Sequence, residues 1–123
     1  MRDHRGFTLI EVLVVIALIG ALSGIAIPQY ASFRARGYDS KVAAVVRGVA
    51  TSEEAYYAEN RNYAGDVSNI RGMVVGDVAI VIQPGNSGDL NTSFRVVGSH
   101  PGASRRYTWL SDPVPGQPNL IEN

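Results

Sequence analysis

The chain has 123 residues, of which 46% are hydrophobic, and its 11 basic and 11 acidic side chains balance to a formal net charge of zero. This balance gives no support for nucleic acid or an acidic substrate as a partner. The absence of cysteine excludes disulfide frameworks, thiol catalysis and metal sites built on thiolates. The length suits one domain with a small soluble remainder, because the first quarter of the chain is strongly apolar.

An apolar run begins after a short polar segment with excess positive charge, which predicts a cytoplasmic amino end. The run extends from Phe7 to Ile27 and is long enough to cross a bilayer, for which about 20 residues are needed. It is longer than the apolar core of an ordinary secretory signal, and no small-residue cleavage site follows it. The sequence therefore predicts a membrane helix, with a simple amino-terminal anchor as the plainest alternative.

One acidic residue, Glu11, interrupts the apolar run. An ionisable group inside a membrane span costs several kcal/mol unless something compensates its charge. A simple anchor has no use for such a group. Glu11 therefore predicts a partner, and it argues against the anchor interpretation.

The segment from Arg5 to Tyr30 resembles the signature of type IV pilins and their pseudopilin relatives. It reads Arg-Gly-Phe-Thr-Leu-Ile-Glu-Val-Leu-Val-Val-Ile-Ala-Leu-Ile-Gly-Ala-Leu-Ser-Gly-Ile-Ala-Ile-Pro-Gln-Tyr. The resemblance implies that a prepilin peptidase cuts between Gly6 and Phe7 and that the new amino group of Phe7 is N-methylated. Residues 1–6 would then be a leader peptide, and the apolar run would stay in the mature protein.

The same resemblance makes Glu11 an assembly residue, which pairs with the Phe7 amine of a neighbouring subunit and sets the register of the filament. Two opposite charges in a low-dielectric environment attract strongly, so the pair is physically reasonable. The Phe7 amine of the same chain is four residues away, so a pair within one chain is also open. The sequence does not choose between the two.

A helix break is predicted near the end of the hydrophobic segment, residues 7–28, which forms the transmembrane or filament-core part of the helix. Gly20 and Gly24 weaken helical turns, and Pro28 removes a backbone donor. In pilins this stretch can lose helical structure when subunits pack into a filament. The alternative is a kink at the membrane exit without melting.

Residues 29–60 are predicted to form the amphipathic half of the same helix. Val42, Val46 and Val49 recur at helical spacing, and Glu53 interrupts this apolar face. The first half is apolar on all sides, so it needs lipid or other helices around it. This requirement favours assembly into a filament.

The carboxyl-terminal half reads as a loop followed by a sheet. Glycine and asparagine mark residues 61–76 as the connection from helix to sheet, and residues 77–123 hold the antiparallel sheet and the tail. Strands are predicted at 78–82, 94–97 and 107–110, and Leu120 with Ile121 could add an edge strand. The predicted fold class is α+β, a long amino-terminal helix packed on a small antiparallel sheet, which is the pilin fold by resemblance.

The aromatic side chains near the helix are expected to line the inside of a filament after assembly. Large buried contact area explains them better than electron transport, although their spacing resembles that of short pilins proposed to carry electrons. These possible aromatic contacts are Tyr30, Phe33, Tyr38, Tyr56, Tyr57 and Tyr63.

No motif indicates an enzyme, a cofactor or a metal site. His100 stands alone before a Pro-Gly turn, and we expect an exposed surface residue there. The carboxylates beyond residue 80 are too few and scattered to predict calcium binding. Arg105 and Arg106 give only a weak basic signal for DNA.

The predicted function is that of a structural subunit of a type IV pilus. Its alternatives are a pseudopilin of type II secretion, or a minor pilin that binds DNA or a surface. By resemblance the partners are further copies of the chain in a helical homopolymer, the prepilin peptidase, an inner-membrane platform protein, the assembly ATPases and a secretin. The precursor would reside in the inner membrane and the assembled subunit in a surface filament.

Overall fold

The computed structural model describes residues 6–123, so residues 1–5, most of the predicted leader, lie outside it. The chain divides into two compact units, with the boundary between Arg34 and Ala35. The elements, in chain order, are helix α1 (Leu9–Asn60), a short 3-10 helix (Val67–Asn69) and strands β1 (Ala79–Pro84), β2 (Phe94–Ser99), β3 (Tyr107–Leu110) and β4 (Leu120–Glu122). The predicted α+β class is confirmed.

Helix α1 is continuous over 52 residues and passes through Pro28 without a change of secondary structure. It ends where Arg61 takes the left-handed conformation, with φ of 61°. The Arg61 N–H donates to the Tyr57 carbonyl at 2.8 Å, which satisfies one of the carbonyls left open at the helix end. Loss of helix around Gly20, Gly24 and Pro28 in a filament stays a prediction.

The four strands form one antiparallel sheet in the order β1-β2-β3-β4. Ile82 lies opposite Val96 in the first pairing, and Thr108 lies opposite Val97 in the second. The three predicted strands are confirmed. Their positions follow from runs of β-branched and aromatic residues separated by glycine and proline turns.

Strand β4 explains how the tail is held without a disulfide. It pairs antiparallel with β3, and Leu120 lies opposite Trp109. Beyond this pairing Arg106 and Asn123 exchange two backbone hydrogen bonds of 2.9 Å each. The suggested edge strand is therefore present, and ladder hydrogen bonds take the place of a covalent link.

The core of the second unit lies between α1 and one face of the sheet. The helix contributes one buried face, which has an acidic residue at each end and apolar residues between them. Its members are Asp39, Val42, Ala43, Val46, Val49, Ala50 and Glu53. The sheet contributes Ile82, Phe94 and Val96, with Ile80 and Trp109 packed at the margin. Each fully buried large apolar side chain stabilises the fold by about 1.5–3 kcal/mol.

Strand β2 lies close to the helix at Gly98. A Cβ atom at that position would lie 2.3 Å from Cγ2 of Val46 and 3.0 Å from Cγ1 of Val42. Such distances are below van der Waals contact, so only glycine fits this crossing without a shift of the helix or the strand.

Asp112 ties the segment after β3 to the turn after β1. Its carboxylate accepts hydrogen bonds from the backbone N–H groups of Asn86 and Ser87, each at 3.0 Å. Burial raises the pKa of Asp112, but the hydrogen bonds from Asn86, Ser93 and Ser87 outweigh that effect and lower it. These hydrogen bonds hold the turn after β1 against the segment after β3.

Candidate processing and assembly site

Thr8 and Glu11 form a reciprocal cap at the amino end of α1. The Thr8 N–H and the Thr8 hydroxyl each donate to Oε2 of Glu11 at 2.7 Å. In return the Glu11 N–H donates to Oγ1 of Thr8 at 3.3 Å. This arrangement is a capping box, which satisfies two backbone donors that the first helical turn leaves open.

The capping box gives Glu11 a partner that the sequence analysis missed. The feature of the sequence that predicts this cap is the Thr-x-x-Glu spacing at the start of an apolar run. All three hydrogen bonds lie between residues 8 and 11, downstream of the Gly6–Phe7 junction, so cleavage there would leave them in place. Thr8 offers hydrogen bonds but no compensating charge, so the charge of Glu11 remains to be paired.

The predicted cleavage junction lies ahead of the helix and is open. Phe7 is 89% exposed, and among the described residues 6–123 a Cβ atom added at Gly6 would meet no atom within 4 Å. A protease therefore has access to this peptide bond without unfolding α1.

The first unit presents an apolar helix surface. Within residues 6–123, α1 is the one helix that is long and apolar enough to cross a membrane, and none of its apolar window is buried. Large apolar side chains are exposed in every turn between Leu9 and Ile27. A helix with this surface requires lipid or neighbouring helices around it.

The aromatic residues divide into two groups. Tyr30 and Phe33 are mostly exposed on the first unit, whereas Tyr56 and Tyr57 are half-buried in the second. Tyr63 lies beyond the end of α1, in the stretch predicted as the connection from helix to sheet, and is only 8% exposed.

Tyr63 belongs to a ring stack inside the second unit. Its ring centroid lies 4.6 Å from that of Tyr57 and 4.6 Å from that of Phe94. Such pairs add about 0.5–1.5 kcal/mol beyond the area they bury. The Tyr63 ring therefore stabilises this chain and leaves little surface for a neighbouring subunit.

His100 is also placed differently from expectation. Its side chain is 10% exposed, and its ring stacks on Tyr38 with centroids 4.2 Å apart. Nδ1 accepts the Gly102 N–H at 2.9 Å, and Nε2 lies 3.2 Å from Oδ2 of Asp77. The expectation of an exposed turn residue was wrong, because the turn folds back onto the helix.

Asp77 connects His100 to Lys41 on the helix, with which it forms an ion pair. Hydrogen bonds from Lys41 and His100 lower the pKa of Asp77 to about 2. Any stability that Asp77 contributes is present above its ordinary pKa of 3.8 and is lost as the pH falls towards 2.

Asp39 holds the turn between β2 and β3 against the helix. Its carboxylate accepts the Ser104 N–H and the Ser104 hydroxyl at 2.8 Å each and the Arg105 N–H at 3.0 Å. Burial raises the pKa of Asp39, and these hydrogen bonds overcome that effect and lower it. Its position three residues before Val42, on the same helical face, was the signal in the sequence.

Replacing Asp39 with alanine is expected to destabilise the second unit by about 2–4 kcal/mol, because two backbone donors and one hydroxyl lose their acceptor. The midpoint of thermal unfolding should fall by roughly 10 °C or more at pH 7. The difference in unfolding midpoint between the wild type and Asp39→Ala should become smaller below about pH 4, since protonated Asp39 no longer binds these donors as an anion.

Ser40→Ala is the matched control for Asp39→Ala. The Ser40 hydroxyl is exposed and bonds only to the Arg36 carbonyl in the same helix, so its loss should leave the unfolding midpoint nearly unchanged. An unchanged midpoint in Asp39→Ala would contradict the role given to this carboxylate.

The basic pair considered for DNA binding is partly neutralised. Arg105 forms an ion pair with Glu122 of β4. The Arg105–Arg106 pair therefore does not act as two uncompensated charges, and the case for a nucleic-acid surface weakens.

Comparison with known proteins agrees with this arrangement. Residues 1–27 match the family model described as the prokaryotic N-terminal methylation motif. The chain is 36% identical over 67 residues to "Type IV major pilin protein PilA" of Myxococcus xanthus, which covers 54% of this chain and 30% of the relative. It is 38% identical over 66 residues to "Type IV wide pilus major component PilA4" of Thermus thermophilus, which covers 54% of this chain and 50% of the relative.

A longer match exists to "Fimbrial protein EcpC" of Eikenella corrodens, at 31% identity over 101 residues, or 77% of this chain and 65% of the relative. The chain thus spans less than two thirds of the length of these curated relatives. The methylation motif covers the Gly6–Phe7 junction, Thr8 and Glu11, the residues from which the site is built. These matches show that the chain carries the prokaryotic N-terminal methylation motif and is similar to type IV pilins over part of its length.

Proposed function

We propose that this chain is a structural subunit of a type IV pilus, cleaved between Gly6 and Phe7, N-methylated at Phe7 and polymerised through the amino-terminal half of α1. The observation that carries the proposal is the exposed apolar surface of α1, which begins at a capped, charged turn inside the methylation motif. Before assembly the lipid bilayer covers this surface, and afterwards the helices of other subunits do so.

The pilus is favoured over the two alternatives. Several relatives carry names of major pilins or of a major pilus component, whereas the partial neutralisation of Arg105 removes part of the reason for a DNA-binding minor pilin. The proposal includes a prepilin peptidase, an inner-membrane platform protein, assembly ATPases and a secretin as partners. It assigns the chain a structural role and no enzymatic one.

The filament assignment is tested in cells that lack this chain. We expect electron microscopy to show loss of long surface filaments, with their return when the chain is supplied again. Filaments that persist at normal number and that contain none of this chain would contradict the assignment to a pilus subunit.

Processing gives a separate prediction about the amino end. Mass spectrometry of the filament subunit should find Phe7 as the first residue, carrying one added methyl group. Gly6→Val should accumulate as uncut precursor in the membrane fraction, because space at Gly6 is open in the folded chain and the change affects recognition rather than folding.

Ala26→Val, inside the exposed apolar part of α1, is the matched control for Gly6→Val. It adds the same β-branched side chain to the chain's amino-terminal region and should be processed normally. A mature Gly6→Val subunit that begins at Phe7 would show that the peptidase does not depend on this glycine.

A further inference from the structure

Glu53 is a buried carboxyl group at the carboxyl-terminal end of the buried face of α1. None of its surface is exposed. Oε2 accepts the Ala64 N–H at 2.7 Å, whereas Oε1 is buried without a hydrogen-bond partner. A buried acceptor without a partner is unfavourable, and more so when it carries charge. The site therefore suits the protonated carboxyl better than the carboxylate.

The groups around Glu53 offer no compensating charge. Glu54 follows it in the helix, and the Tyr63 hydroxyl lies 3.4 Å from Oε2 of Glu54. Across residues 6–123, no cationic side chain forms an ion pair with Glu53. Burial raises the pKa of Glu53 to about 7, the charge of Glu54 adds to this, and the Ala64 N–H opposes it.

Glu53 contacts the segment that follows the helix, residues 63–70. This segment is fixed at its start by the Tyr63 N–H, which donates to the Leu90 carbonyl at 2.9 Å, and by the Tyr63 ring between Tyr57 and Phe94. The next backbone donor belongs to Ala64 and bonds to Glu53. One of the groups that hold the segment in place, the Glu53 carboxyl, can therefore gain or lose a proton as the pH changes.

We propose that Glu53 is a pH-dependent latch for residues 63–70: the protonated carboxyl keeps this segment packed on α1, and the ionised carboxylate releases it to water. The latch belongs to the second unit of the chain and stands independently of the proposed polymerisation. It makes the connection between helix and sheet a part of the chain that responds to a rise from acidic to neutral pH.

The sign of the effect follows from the difference between the packed and open states. In the open segment the carboxyl ionises near its ordinary pKa of 4.5, and in the packed segment it ionises near 7. Packing is therefore strongest below pH 4.5, weakens as the pH rises from 4.5 to 7, and stays constant at higher pH. Because of this difference in pKa between the two states, raising the pH from 6 to 8 increases the equilibrium constant for opening of residues 63–70 by about tenfold.

Amide hydrogen exchange on the full chain in phospholipid nanodiscs tests the proposal. After correction for the intrinsic exchange rate, opening of residues 63–70 should rise by about tenfold from pH 6 to pH 8. In Glu53→Gln it should stay constant, because glutamine can accept the Ala64 N–H and does not ionise. Glu59→Gln, an exposed glutamate on the same helix, should behave as the wild type does.

A carbon NMR titration of the wild-type carboxyl groups tests the latch without any variant. Glu53 should titrate with a midpoint near pH 7, and the Ala64 amide signal should shift with the same midpoint. Ionisation of Glu53 below pH 5 would overturn the proposal, as would a wild-type pH dependence of exchange in Glu53→Gln. If Glu53→Gln does not fold, coincident midpoints of titration and opening in the wild type support the latch, and separate midpoints overturn it.

Discussion

Glu11→Gln is expected to stop filament assembly while the chain still inserts into the membrane and α1 keeps its cap. Glutamine at this position accepts the Thr8 hydrogen bonds much as glutamate does. It offers no charge to the Phe7 amine of a neighbouring subunit, and opposite charges attract far more strongly at low dielectric than in water. Surface filaments should fall by at least about tenfold, which needs a loss of only about 1.4 kcal/mol per subunit contact.

Thr8→Val separates the two roles of Glu11. It removes the hydroxyl that binds Oε2 of Glu11 and should weaken the first helical turn by about 1 kcal/mol while leaving the charge available. We expect sheared filaments to be recovered in near-normal amount from Thr8→Val and to be missing from Glu11→Gln and Glu11→Ala. Normal filaments from Glu11→Gln together with a defect in Thr8→Val would refute charge pairing and make capping the function of Glu11.

Gly98→Ala is expected to destabilise the second unit by about 1–3 kcal/mol, the usual cost of overpacking a core. The new methyl group would lie 2.3 Å from Cγ2 of Val46. Valine in a helix is restricted at χ1, so the Val46 side chain cannot turn aside at low cost. The thermal midpoint should fall by roughly 4–8 °C for each kcal/mol in a domain of this size.

Two further variants make the Gly98 prediction specific. Gly48 lies in α1, where an added Cβ would meet only Cε of Met73 at the ordinary contact distance of 3.6 Å. Gly48→Ala should therefore stabilise the helix by about 0.5–1 kcal/mol. The double variant Val46→Ala/Gly98→Ala should lose less free energy of unfolding than the two single variants lose together, because the two residues share one contact. A strictly additive double variant would contradict the direct clash.

The strands show how far local pattern determines this fold. β3 (Tyr107–Leu110) has the predicted bounds, and β2 begins at the predicted Phe94 and runs two residues further, to Ser99. Both are short β-branched and aromatic runs between turn residues, so local propensity and the final pairing agree. The burial of Ile82, Phe94 and Val96 follows from the same pattern, since alternate residues of a strand share one face.

The candidate site was predictable in part. The Gly6–Phe7 junction and Glu11 are local features of a long motif, and they were found from the order of residues alone. The Thr8–Glu11 capping box is equally local, since it depends on the Thr-x-x-Glu spacing at the start of the apolar run. The proposed assembly through Glu11 and Phe7 depends on other copies of the chain, so no property of the isolated chain determines it.

The long helix, the charge of Glu11 within its apolar run and the small antiparallel sheet can be inferred from the sequence, because each depends on residues close together in the chain. Tertiary structure alone decided the environments of Asp39, Glu53 and His100. Asp39 meets Ser104 across 65 positions, and His100 meets Tyr38 across a similar separation. A polar residue on a helix is exposed or buried according to the segment that packs on it, and here the loop after the helix and the turn between β2 and β3 enclose these groups.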